Sequence, residues 1–133
     1  MSPAGQPGYS ARTVEHFRHP RNVGRLENAN AVGAVDDFTT ENYISFSLLI
    51  EAGRVVAARF RTFGCSACVA ASSAVTQLVE GKSLDEARAV DAEAVLEALD
   101  GLPPSKRHCA ELAARALAAA LANYAEGVKT ASP

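Results

Sequence analysis

Cys65, Cys68, His108 and Cys109 are the residues whose types and spacing suit chemistry. Cys65 and Cys68 form a C-x-x-C pair just after Phe63-Gly64, where a strand pattern gives way to a helical one. A helix start offers free N–H groups and the positive end of the helix dipole, which favour thiolate over thiol. The three-residue spacing puts both sulfurs on the first turn. His108-Cys109 opens a second helical pattern after the stiff Gly101-Leu102-Pro103-Pro104 connection. Thiolates and an imidazole at helix starts suit soft metals, zinc among them, or sulfur chemistry. His108 is a candidate ligand or proton-transfer group for its neighbour. Cys68 also lies on the apolar stripe of its helix, so ligand and small core residue both stay open. Dithiol redox chemistry at Cys65 and Cys68 is a weaker reading, because the order of strands does not suit a thioredoxin fold.

The elements that must position these residues are legible from periodicity. Ser10 is a plausible N-cap for a short helix with Val14 and Phe17 on one side, ended by Pro20. Ile44, Phe46, Leu48 and Ile50 alternate with a second set, and Val56, Ala58, Phe60 and Thr62 do the same after Ala52-Gly53. This is the pattern of an antiparallel hairpin with one apolar face. A third strand near Ala31–Val35 would complete a meander. Cys68, Ala71, Val75, Leu78 and Val79 share a helical face that ends at Gly81. Two short helical pieces with acidic first turns follow, over Ser83–Ala89 and Asp91–Leu99. An Ala-rich helix from about Cys109 to Ala125 closes the domain. The expectation is a single α+β domain over residues 9–126, with flexible tails at 1–8 and 127–133. Its three-stranded antiparallel sheet would carry helices mainly on one face.

Composition bounds the function. The 133 residues are 48% hydrophobic, enough for a real core. Thirteen Lys and Arg against fifteen Asp and Glu leave a net charge of -2, which argues against nucleic acid and anionic membranes as partners. No apolar run approaches a membrane span, and Met1–Gly8 lacks a secretory h-region. Three cysteines are too few and odd in number for a disulfide framework, so the expected compartment is the cytoplasm. His16 and His19 read as packing and capping residues. Arg12, Arg18, Arg21 and Arg25 read as a solvated basic face.

The order of several motifs carries more than any one of them. His16-Phe17, Pro20-Arg21-Asn22-Val23-Gly24, Phe60 to Cys65, Ala71-Ser72-Ser73, Gly81-Lys82-Ser83-Leu84 and Leu102-Pro103-Pro104 through His108-Cys109 resemble the IscU/NifU-like iron–sulfur cluster scaffold family. The resemblance spans roughly Tyr9 to Tyr124. It implies an IscU/SufE-like fold and a scaffold or carrier rather than an enzyme. Its function would be to accept sulfur from a cysteine desulfurase and to bind iron, zinc or a [2Fe–2S] cluster for recipient apo-proteins. Cys65 and Cys109 correspond to the family's second and third cysteines, and His108 to the histidine beside the third. Cys109 is then the expected sulfur acceptor, with His108 moving its proton and Cys65 as companion ligand. The family's first cysteine, in a Cys-Gly-Asp motif, has no counterpart. Anchoring on Val32-Gly33-Ala34 puts Asp37 there, and anchoring on the strand at Ile44 puts Thr40 there, while Cys68 is an added thiol. The expected ligand set is Cys65, Cys68, His108 and Cys109. A sulfur-relay or desulfurase-regulating protein of the same fold, carrying no cluster, is the alternative. The family's Leu-Pro-Pro-Val-Lys stretch for a heat-shock chaperone reads Leu102-Pro103-Pro104-Ser105-Lys106 here.

Overall fold

The structure, a computed structural model, describes residues 8–131, with side chains to Tyr124. Helix α1 (Ala11–Arg18) is capped by Ser10, whose Oγ accepts from the Thr13 N–H at 3.0 Å. Strands β1 (Ala31–Asp37), β2 (Asn42–Glu51) and β3 (Arg54–Phe63) form an antiparallel meander in the order β1-β2-β3. Then come α2 (Ser66–Val79), α3 (Leu84–Arg88), α4 (Ala92–Ala98), a short 3-10 turn (Pro104–Lys106) and α5 (Arg107–Ala131). The α+β class and the three-stranded sheet are as the sequence implies.

Ile44, Phe46, Leu48 and Ile50 of β2 are all buried, and β3 adds Val55, Ala58 and Phe60 to the same face. Val56 departs from expectation, being exposed while Val55 is buried. A β-bulge causes this, since Leu49 pairs with Ala57 but Ile50 pairs with Val55. Val56 is the extra residue, and it shifts the inward set by one. The hairpin turn holds Ala52 and Gly53 at φ +52° and +74°.

Helices α2 and α5 cover this apolar face. The approach of α5 to β1 is close enough that a Cβ on Gly33 would lie 2.2 Å from the Ala120 backbone nitrogen. Backbone cannot rotate away from such an overlap as a side chain can. Gly33→Ala is therefore expected to cost about 1–3 kcal/mol, read from chemical denaturation, and an unchanged midpoint would contradict the contact. The helix α5 begins at Arg107 and runs through Gly127 to Ala131, overtaking the expected end at Ala125 and most of the expected tail. An Ala-rich helix already formed gains from each added hydrogen bond, so one glycine at a cost of about 1 kcal/mol does not stop it. The tail expected at 1–8 lies outside the described residues except for Gly8, as do residues 132–133 at the other end.

Helix α2 is more than a one-sided stripe. Ser72, Ser73 and Thr76 are as buried as Ala71 and Val75, because α1 and the segment after it pack on the side away from the sheet. Ser73 Oγ accepts the Arg21 N–H at 2.8 Å and lies 2.8 Å from His16 Nδ1. Asn22 Nδ2 donates to Thr76 Oγ1, while the backbone of Asn22 and Gly24 bonds to Phe60 and covers the free edge of β3. Burial, and then the charge of Arg21, hold the His16 pKa below its ordinary value of 6.5. The unfolded chain then binds this proton more readily, so the His16 contribution is complete above about pH 6.5 and lost as pH falls below it. Melting temperature should fall between about pH 7 and pH 5, ahead of carboxylate titration, and His16→Gln should flatten that fall. Parallel curves for both proteins would remove His16 from the effect.

Candidate functional site

The end of β3, the start of α2 and the start of α5 meet at one end of the sheet. Gly64 makes the exit from β3 with φ +151°, and a Cβ there would sit 1.9 Å from Asn42 Oδ1. Glycine is thus needed for both conformation and space. Cys65 follows as the N-cap residue of α2, with its backbone N–H donating to Asn42 Oδ1 at 3.2 Å. Cys68 lies on the first turn, fully buried, and Cys109 lies on the first turns of α5, also fully buried.

The structure brings the three thiols together. Their sulfurs all lie within 4.8 Å of one another, and Cys65 Sγ to Cys109 Sγ is 3.4 Å. A tetrahedral ion with bonds of about 2.3 Å needs sulfur separations of about 3.8 Å, so small side-chain adjustments suffice. The two readings of Cys68 are therefore not exclusive: it packs in the core and its sulfur lies beside those of Cys65 and Cys109. Cys68→Ala is expected to lower zinc affinity by about tenfold and to cost the apo-form about 1 kcal/mol. Unchanged affinity in a chelator competition would leave Cys68 with the core role alone.

His108 Nε2 stands 3.7 Å from Cys109 Sγ, near enough to exchange a proton after slight closure. Among the described residues, the group of mutually close ligand atoms is Cys65, Cys68 and Cys109, with His108 beside it. An open cleft of about 410 Å³ leads to the site, lined by Thr40, Asn42, Gly64, Cys65, Lys106 and His108. Cys65 is half-buried in the wall of this cleft, whereas Cys109, the sulfur acceptor expected from the sequence, is shielded behind it.

The thiols share protons unequally. Hydrogen bonds from Cys109 and then Cys68 hold the Cys65 thiol far below its ordinary range. Cys109 is pushed up to about 12, mainly by its hydrogen bond with Cys65, and Cys68 is raised by hydrogen bonding with both partners and by burial.

The loop between β1 and β2 holds the two candidates for the missing ligand. Thr40 Oγ1 donates to Asp37 Oδ2 at 2.9 Å and accepts from Asn42 Nδ2 at 3.0 Å. That bond holds the Asp37 pKa below the usual carboxylate range, with the charge of His108 a smaller cause. Asp37 and Thr40 are joined to each other and, through Asn42, to Cys65. Sequence reading missed Asn42. Its signal was available, because anchoring on the β2 strand puts Thr40 at the family's cysteine and Asn42 two residues on, at the family's Asp.

The NifU-like N terminal domain family model matches residues 8–131, almost the whole chain. The chain belongs to the NifU-like N-terminal domain family. Relatives of this NifU-like domain include "Iron-sulfur cluster assembly scaffold protein IscU 1" of Archaeoglobus fulgidus, 40% identical over 116 residues, which are 87% of this chain and 76% of that one. The protein "Iron-sulfur cluster assembly scaffold protein IscU" of Escherichia coli K12 is 39% identical over 120 residues, covering 87% and 93% of the two chains. A crystal structure of a nitrogen-fixing NifU-like protein (N-terminal) from Brucella abortus superposes with a TM-score of 0.71. It covers 88% of this NifU-like chain and 94% of its own at 21% identity, which supports the fold. These relatives are named as scaffold proteins, not as enzymes. No described helix of the NifU-like chain is long and apolar enough to cross a membrane.

Proposed function

We propose that this chain is an iron–sulfur cluster assembly scaffold, which receives iron and sulfur at the Cys65–Cys68–Cys109 triad and passes them to recipient apo-proteins. The observation that carries this reading is a set of three sulfurs within 4.8 Å of one another at the end of an open cleft. Soft thiolates hold iron well, and the half-exposed Cys65 opens the triad to the cleft through which cargo would leave. The cargo is iron or a [2Fe–2S] cluster, and zinc fits the same donor set. His108 or a group from outside the triad supplies a fourth ligand. Sulfur would come from a cysteine desulfurase in the cytoplasm. Exposure favours Cys65 over Cys109 as the thiol that first meets a partner's persulfide. Ser105 in the Leu102–Lys106 stretch leaves recruitment of a heat-shock chaperone outside this proposal.

The test is transfer. Chain loaded anaerobically with iron and sulfide should deliver a cluster to an apo-ferredoxin faster than the same iron and sulfide free in solution. Equal rates would remove the scaffold role. A second reading has its own support: neither Asp37 nor Thr40 offers a thiol, and each is engaged by the other. A sulfur relay without a cluster fits that loss. It predicts persulfide on the chain after treatment with desulfurase and cysteine, but no cluster when iron is added.

A further inference from the structure

We propose that Cys65 and Cys109 form a resolving pair, which converts a sulfane sulfur received on Cys65 into free sulfide. The inference rests on the reading above that this site accepts sulfur. Cys65 lines the cleft, while Cys109 is fully buried with its sulfur 3.4 Å away. A persulfide delivered from outside therefore forms on Cys65 and carries its outer sulfur into the cleft. Cys109 is left against the inner sulfur, within the roughly 3–3.5 Å of a near-attack arrangement.

The step balances within the chain. The Cys109 sulfur attacks Cys65 Sγ, and the bond from Cys65 Sγ to the outer sulfur breaks. A Cys65–Cys109 disulfide forms, and the outer sulfur leaves with the bonding electron pair. From a persulfide anion and a Cys109 thiol, the products are the disulfide and hydrosulfide. The Cys109 proton ends on the sulfide, and His108 Nε2, 3.7 Å from Cys109 Sγ, is placed to carry it there. The two cysteine sulfurs are oxidised and the sulfane sulfur is reduced, so no external oxidant enters. Disulfide closure requires the sulfurs to approach by about 1.4 Å, to the usual 2.05 Å. A low-molecular-weight thiol then reduces the pair. A metal ion held by the triad occupies the same sulfurs, so holding metal and releasing sulfide exclude each other.

The test uses the reduced, metal-free full chain, treated anaerobically with inorganic tetrasulfide, desalted, and followed by intact mass and sulfide assay. In the wild type, an adduct of one sulfur atom should give way to a species lighter than the starting protein by two hydrogens, with one sulfide released for each disulfide. Peptide mapping should place that disulfide between Cys65 and Cys109. Cys109→Ser should keep the adduct on Cys65 over the same interval. Zinc added before tetrasulfide should suppress the release. A stable wild-type adduct without disulfide, equal decay in Cys109→Ser, or a disulfide to Cys68 would overturn the resolving pair alone. Absence of any adduct on wild type and Cys109→Ser would overturn the sulfur-accepting reading beneath it.

Discussion

Cys65→Ser is expected to weaken zinc binding by roughly 100-fold or more, since loss of even an outer-shell partner commonly costs about 10–100-fold. Cys65 stands at the N-cap of α2, and hydrogen bonding with Cys109 and then Cys68 lowers its thiol pKa, so it is the thiol of the triad most disposed to ionise. A serine hydroxyl does not ionise under ordinary conditions and is a hard donor, so the site would lose one of its three soft sulfur ligands. Competition with a chromophoric chelator measures the affinity. The apo-form should melt close to wild type, because Cys65 is half-exposed and serine is nearly its size. Retained affinity in Cys65→Ser would mean that the triad is not the binding site.

Phe46→Ala is expected to cost about 3–5 kcal/mol, the range for truncating a large buried aromatic side chain. Phe46 is fully buried at the centre of β2, paired across the sheet with Phe60 on one side and Gly33 on the other. Gly33 has no side chain to swing into the space left by the ring, and α5 is held against its backbone. The cavity should therefore persist rather than collapse. Urea denaturation with an unchanged slope gives the loss, and a value below about 1 kcal/mol would show that Phe46 does not anchor the core.

Where a residue's role depends on local pattern, the sequence was a good guide. The period-2 run in β2 marks its buried face correctly, and the side chain of Ser10 caps its helix as its type suggests. The bulge was hidden because Val55 and Val56 are chemically alike, and only pairing across β2 distinguishes them. The continuation of α5 past Ala125 was obscured by Gly127, whose local cost is outweighed by helix propagation.

At the site, the cysteines stand at helix starts as their spacing suggests, but depth does not follow from spacing. Cys109 has the local setting of an acceptor, with His108 beside it, yet the tertiary fold places it behind Cys65. The Asp37–Thr40–Asn42 chain of hydrogen bonds is likewise invisible without the loop geometry that closes it onto Cys65. The two alternatives for Cys68 could not be reconciled from one helix, since its sulfur meets partners from both α2 and α5.

The most direct measurement of the central claim is anaerobic reconstitution of the apo-chain with ferrous iron and sulfide, followed by desalting, visible absorption, and iron and sulfide analysis. The triad account predicts bound iron and sulfide in fixed proportion with thiolate-to-iron absorption bands, and their loss in Cys65→Ser. A desalted wild-type protein that is colourless and free of iron would contradict it.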